Sequence, residues 1–138
     1  MHPWMQLLIP ESFYKNPMFK SLLLVFIGGG LGSVLRSLTG KLFSFMSFPM
    51  GTLIVNILGS LLIGFLYALF SRQIIGDDYR LLLAVGFCGG FTTFSTFSNE
   101  SLHYLRSGQM GLFILYALGS LLLCLLSVWL GDRVGARI

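Results

Sequence analysis

The sequence predicts an all-α integral membrane protein of four transmembrane helices, the third of them broken at mid-membrane. Three observations carry that reading. Hydrophobic residues make up 55% of the 138 and charged residues only 10%, against about 25% charge in an ordinary soluble domain. So few charges cannot cover the surface of a small soluble globule, and lipid is the solvent that tolerates the remainder. Four apolar stretches separated by short polar breaks come close to the roughly 20 residues a helix needs to cross hydrocarbon. The third carries adjacent glycines and a run of hydroxyls in its middle. The length suits one domain, with residues 18–138 read as a four-span membrane unit and residues 1–17 as an N-terminal surface segment or extension.

Residues 1–17 are punctuated by Pro3, Pro10 and Pro17. Around Trp4, Met5, Leu7, Leu8 and Phe13 they can lie amphipathically on a surface. No basic leader precedes an apolar core there, unlike a cleaved signal peptide. The first span is read as Ser21–Thr39, with Arg36 placed near an interface where it can snorkel. The second, Gly51–Ser71, and the fourth, Gln109–Leu130, meet the length requirement without strain. The third, Leu81–Leu105, is long enough but polar at its centre. The connections Gly40–Met50, Arg72–Arg80 and Arg106–Gly108 are too short to hide a soluble domain. Four spans put both termini on one side. That side carries Lys15, Lys20, Arg72, Arg80, Arg133 and Arg137; the other carries Lys41, Arg106 and Arg36. The bias leans toward cytoplasmic termini and is weak enough to permit insertion both ways.

Several function classes are excluded or disfavoured. A net charge of +4 is scattered singly, whereas a nucleic-acid binder gathers its charge on one face. Cys88 and Cys124 lack CxxC spacing and read as small buried hydrophobes rather than a metal or disulfide framework. The Gly28–Gly30 run lies inside an apolar stretch and lacks the GxxxxGK pattern of a phosphate loop. No nucleophile–base pair or histidine cluster is present, and His103 stands alone at a span end. An enzyme is disfavoured.

The remaining residues point to packing and to an ion path. Gly28 with Gly32, Gly86 with Gly90, and Ser60 with Gly64 are small-xxx-small pairs, which let helix backbones approach closely in lipid. Thr52 and Asn56 share one face of the second span. An amide at that depth needs a partner, either another helix or a lumen. In the third span Gly89 and Gly90 are followed by Thr92, Thr93, Ser95, Thr96 and Ser98 between phenylalanines, then Glu100. Adjacent glycines and β-branched threonines favour a break. Freed carbonyls there can ligate a cation and freed amides an anion. Phe94 and Phe97 can point one way if helix resumes after the break. Ring edges carry positive quadrupole charge, so they can hold a small anion weakly, as conduction requires. Ser95 and Thr96 can donate to the same ion. Arg36 can draw an anion into a vestibule, and Glu100 can gate, couple protons or cap a hydrogen-bond network.

Three segments carry a family resemblance. They are Gly28–Arg36 (GGGLGSVLR), Pro49–Gly59 (PMGTLIVNILG) and Gly86–Ser98 (GFCGGFTTFSTFS) followed by Glu100. In order and spacing they resemble the signatures of the CrcB/Fluc family of fluoride channels, and Tyr116 and Ser120 are similar to its fourth-span positions. The resemblance implies an antiparallel, dual-topology homodimer with two pores along the interface. It implies a pore-lining Asn56, fluoride-facing Phe94 and Phe97, and a polar track of Ser95, Thr96 and Ser120 with Tyr116 beside it. Arg36 would be the vestibule arginine and Glu100 the carboxylate near the pore end. Gly89 and Thr92 would hold a structural Na+ at the two-fold axis through their backbone carbonyls.

The function expected on this basis is passive, selective export of fluoride through the bacterial cytoplasmic (inner) membrane, conferring fluoride resistance. The expected partners are fluoride, a second copy of the chain and the lipid bilayer, with no nucleic acid and no organic cofactor. The alternative is a small dual-topology multidrug or cation exporter. It needs a membrane-embedded carboxylate, yet the first span has none and Glu100 lies near the end of the third. A non-transporting assembly subunit is a third possibility that glycine packing alone would support.

Overall fold

A computed structural model describes residues 17–138. The surface role expected for residues 1–17 falls outside them except at Pro17, which opens the first helix. Among the described residues the fold is all-helical. Helix α1 is Pro17–Leu42 and α2 is Met50–Ser71. A short α3, Asp77–Tyr79, leads into a π-helical segment, Arg80–Cys88, and then α4, Gly89–Phe91. Helix α5 is Phe94–Arg106 and α6 is Met110–Gly135. Taken with α3 to α5 as one interrupted stretch, Asp77–Arg106, four segments are long and apolar enough to cross a membrane.

The first and third segments outrun the expected spans at both ends, the second only at its start and the fourth only at its C-terminal end. Helix α1 reaches Pro17 and Leu42, and α6 reaches Gly135. Apolar content marks the part that needs lipid, while helix continues into polar flanks where water can satisfy its ends. Asp77 and Asp78, expected in a loop, form the first turn of α3, where the helix dipole favours negative charge. Asp78 pairs with Lys20 at 2.5 Å, tying the start of α1 to the start of the third stretch. At the same end Arg72 donates to the Ala136 carbonyl at 2.6 Å, joining the ends of α2 and α6. Nothing in the Leu81–Val85 run signals the wider π turns.

Two glycine seams hold the bundle together. Helix α1 packs on the π segment and α4, and α2 packs along α6. A Cβ on Gly28 would strike the Leu82 carbonyl and the Phe87 amide; one on Gly32 would strike the Phe87 carbonyl and the Phe91 amide. Gly86 and Gly90 answer from the other side, against Val25 and Gly29 backbone. In the second seam Gly64 lies on the Val128 carbonyl and Gly131 on the Leu61 carbonyl. Backbone contact of this kind gives dispersion without relying on a hydrophobic effect that lipid does not supply. Between the seams a small core gathers Leu66, Ala84 and Cys88. The outward faces are apolar, with Phe26, Leu122 and Leu125 all well exposed.

Helix ends use αL caps. Gly108, at φ 72°, closes α5: its N–H donates to Leu105 and that of Gln109 to Tyr104. The same pattern closes α2 at Gln73, whose N–H donates to Phe70 while that of Ile74 donates to Leu69. Gln73, however, is a non-glycine at φ 59°.

Two predictions follow from these backbones. Gln73→Gly relieves the αL penalty and raises unfolding stability in detergent by about 0.5–1 kcal/mol. Gly28→Ala lowers it by about 1–3 kcal/mol through backbone overlap, whereas Gly30→Ala, with open space at its Cβ, leaves it near wild type; thermal melts of the purified variants check both.

Candidate functional site

The third stretch leaves the helix at Thr92 and Thr93, both extended (φ −80°, ψ 160° and φ −152°, ψ 120°). Gly89 and Gly90 themselves stay helical; Gly90 is needed there for its contact with Gly29 backbone. The break is fixed from outside by Asn56 on α2. The Asn56 Nδ2 donates to the Thr93 carbonyl at 3.1 Å, and the Thr93 N–H donates to Asn56 Oδ1 at 2.8 Å. One side-chain amide thus pairs both backbone groups of an extended residue, as a neighbouring strand would. In lipid such groups cannot be left unpaired. The two readings of Asn56 turn out to be compatible, because it binds a neighbouring helix break and also lines a cavity.

Thr93 was missed as a site residue by sequence reasoning. It is 8% exposed. Its hydroxyl caps α5, accepting from the Thr96 N–H at 3.3 Å, and it bonds the side chains of Thr96 (3.1 Å) and Ser95 (3.3 Å). The available signal was a threonine three residues before Thr96, at the N-cap position of a helix that resumes.

In an unbroken helix the Thr93 N–H would donate to the Gly89 carbonyl. Its capture by Asn56 frees that carbonyl from this partner, and Gly89 is exposed with open space around it. A freed backbone oxygen is the kind of ligand that a hard cation takes. The break also sets the negative end of one half-helix against the positive end of the next.

Most residues singled out from sequence fall into three groups; Ser95 is exposed, bonds only the Thr93 hydroxyl among the described residues and lines none of the cavities that the others line. Asn56, Phe94, Phe97 and Ser120 line one cavity of about 360 Å³, with Thr92 and Thr93 at its wall. The Phe94 and Phe97 rings lie 5.6 Å apart, and Phe94 is 80% exposed. Ser120 is buried and its hydroxyl has no hydrogen-bond partner among the described residues. Arg36 and Thr96 line a second cavity of about 240 Å³ with Thr52 and Thr93. Thr93 thus stands between the two.

Glu100 and Tyr116 form the third group. Glu100 accepts from Thr52 Oγ1 at 2.8 Å on one oxygen and from Tyr116 Oη at 2.7 Å on the other. Tyr116 is 1% exposed. Phe97 packs on it at 5.0 Å and Phe48 edge-on at 5.4 Å. Of the three readings of Glu100, the geometry carries the hydrogen-bond hub. Thr52 and Phe48 belong to this cluster, and only their tertiary contacts reveal it. Beyond it a third cavity, about 530 Å³, is lined by Glu100 and His103. Gly89 and Thr92 lie on the other side of the break from α5.

With this geometry in view, a sequence profile of the family described as "CrcB-like protein, Camphor Resistance (CrcB)" matches residues 23–132. The chain belongs to the CrcB family. It is 56% identical over 115 residues to a protein of Phocaeicola vulgatus named "Fluoride-specific ion channel FluC", covering 81% of this chain and 95% of that one. A Bacteroides fragilis protein of the same name is 48% identical over 124 residues (86% and 98%). One from Thermus thermophilus is 47% identical over 119 residues (84% and 95%). All three segments that carried the resemblance lie within the matched range. A CrcB-family chain with four membrane-length stretches is a multi-pass membrane protein, and an ion channel family rather than an enzyme family is its setting.

The clamp yields a prediction. Asn56→Ala leaves the Thr93 N–H and carbonyl unpaired in a buried site and destabilises the fold by about 2–4 kcal/mol. Asn56→Asp, ionised at neutral pH, sets a carboxylate against the Thr93 carbonyl and melts below wild type, recovering as acid restores an O–H donor; melts at neutral and acid pH check it.

Proposed function

We propose that the protein is a passive fluoride-selective channel that exports cytoplasmic fluoride and confers fluoride resistance. The observation that carries this is the joining of Asn56, Phe94, Phe97 and Ser120 around one cavity at a helix break, in a chain about half identical to proteins named fluoride-specific channels. Fluoride enters acid-exposed cells as neutral HF and dissociates inside. The membrane potential then drives the anion out at about 2.3 kcal/mol per charge per 100 mV, so no coupling ion is needed.

Each group has a role in this reading. Arg36 attracts the anion to the mouth of its cavity. The N-terminus of α5 places partial positive charge where the ion must shed water. Ring edges of Phe94 and Phe97, with hydroxyls of Ser95, Thr96 and Ser120, replace that water weakly and in several places. Glu100, engaged by Thr52 and Tyr116, stands near the pore end and fixes the Tyr116 ring on which Phe97 packs.

The same proposal includes the assembly. Two copies pack antiparallel, inserted with opposite topology in the bacterial inner membrane, with the break of each third span at mid-membrane. The 80% exposure of Phe94 on a single copy supports a second copy as its cover. A structural Na+ at the two-fold axis would be held by the Gly89 and Thr92 carbonyls of both copies. The freed Gly89 carbonyl and the negative half-helix end support that assignment. When bound, the ion supplies fixed positive charge between the pores. Relatives about half identical to this chain are named fluoride-specific channels, which favours the anion reading over the cation exporter.

Liposomes holding the purified protein and loaded with fluoride should release it on addition of a potassium ionophore, with no proton gradient, while retaining chloride. No fluoride release would overturn the reading. Phe94→Ile, at a side chain the single-copy fold leaves exposed, should abolish release while the protein still elutes as a dimer. Wild-type release by this variant would remove Phe94 from the path.

A further inference from the structure

The cavity at the break has a second chemistry at its far wall. Cys124 lines it, one helical turn below Ser120 on α6. Residues four apart lie on one helix face, so the thiol and the Ser120 hydroxyl share an outlook. Ser120 is 6% exposed and its hydroxyl has no hydrogen-bond partner. An unsatisfied buried hydroxyl at the wall of a cavity calls for an explanation beyond packing. The thiolate is the nucleophile, and solvent entering the cavity takes the thiol proton. The rest of the lining is largely apolar, with Ile63, Ala117 and Leu121 beside the phenyl rings.

The protein's other cysteine is the internal contrast. Cys88 is 1% exposed and lies in the core with Leu66 and Ala84. It borders none of the cavities described above.

We propose that Cys124 is a thiol-modification site for small, uncharged, apolar sulfur electrophiles, and that the adduct plugs the cavity. With a thiosulfonate the step is substitution at sulfur. The Cys124 sulfur attacks the sulfenyl sulfur of the reagent, a new S–S bond forms, the S–SO2 bond breaks, and the sulfinate leaves with the electron pair. The thiol proton passes to water. Thiol reductant reverses the step by exchange. The site itself stands on the cavity wall; only its consequence for flux rests on the fluoride-channel reading.

The probe is benzyl methanethiosulfonate, applied to the purified protein in liposomes. Intact-mass measurement should show one benzylthio group per chain, peptide mapping should place it at Cys124, and dithiothreitol should remove it. Cys124→Ser should stay unlabelled and Cys88→Ser should label like wild type. Fluoride release, taken relative to the same preparation before reagent, should fall about tenfold or more in wild type and Cys88→Ser and keep its starting value in Cys124→Ser. Labelling at Cys88, or at neither cysteine of the folded protein, would overturn the site. Full labelling at Cys124 with undiminished release would overturn the plug. If unlabelled protein releases no fluoride, the channel reading fails while the mass arm still decides the site.

Discussion

The whole arrangement hangs on one side-chain amide meeting one backbone residue. A helix interrupted inside an apolar bundle exposes an N–H and a carbonyl that hydrocarbon cannot satisfy. Asn56 supplies both partners at 2.8 and 3.1 Å, so the interruption at Thr93 is stable rather than merely tolerated. Everything distinctive about the site descends from it. Thr93, held extended, turns its hydroxyl to cap α5. The cap fixes where α5 restarts, and the restart fixes Phe94 and Phe97 as neighbours on one face.

The glycine seams explain how such a break can sit against its neighbours. With Gly28 and Gly32 on α1 facing Gly86 and Gly90, the first half of the third stretch lies backbone to backbone on α1. Gly59 on α2 is in turn covered by the Thr92 methyl, which brings the break within reach of Asn56, three residues earlier on the same helix. The small residues thus set the distance at which the amide works. A larger residue at these seams would push the third stretch away from α1 and, through it, disturb the pairing of Thr93.

The four membrane-length stretches were legible because apolar content is a property of each segment alone. So was the neighbourhood of the break, because adjacent glycines and threonines weaken a helix locally. Its exact position, at Thr92 and Thr93, was not, because it is set by Asn56 from another helix and by the need to keep Gly90 packed on Gly29. The π-helical turns from Arg80 to Cys88 and the αL conformation of Gln73 left no mark in residue type. Asn56, Phe94, Phe97 and Ser120 were named from sequence and do share a cavity. Thr93 and Phe48 were passed over, since a cap and an edge-on ring contact exist only once the chain has folded.

Glu100 shows how the same fold holds its aromatic wall. A carboxylate at this depth needs partners. Here each oxygen receives a hydroxyl hydrogen bond, one from α2 through Thr52 and one from α6 through Tyr116. Hydroxyl donors stabilise the carboxylate where it stands. They also make Glu100 the brace that joins α5 to the two helices flanking it. Tyr116 is the pivot of that brace, since its ring carries Phe97 at 5.0 Å while its hydroxyl holds the carboxylate. With the brace closed, the Phe97 ring that packs on Tyr116 is held in place.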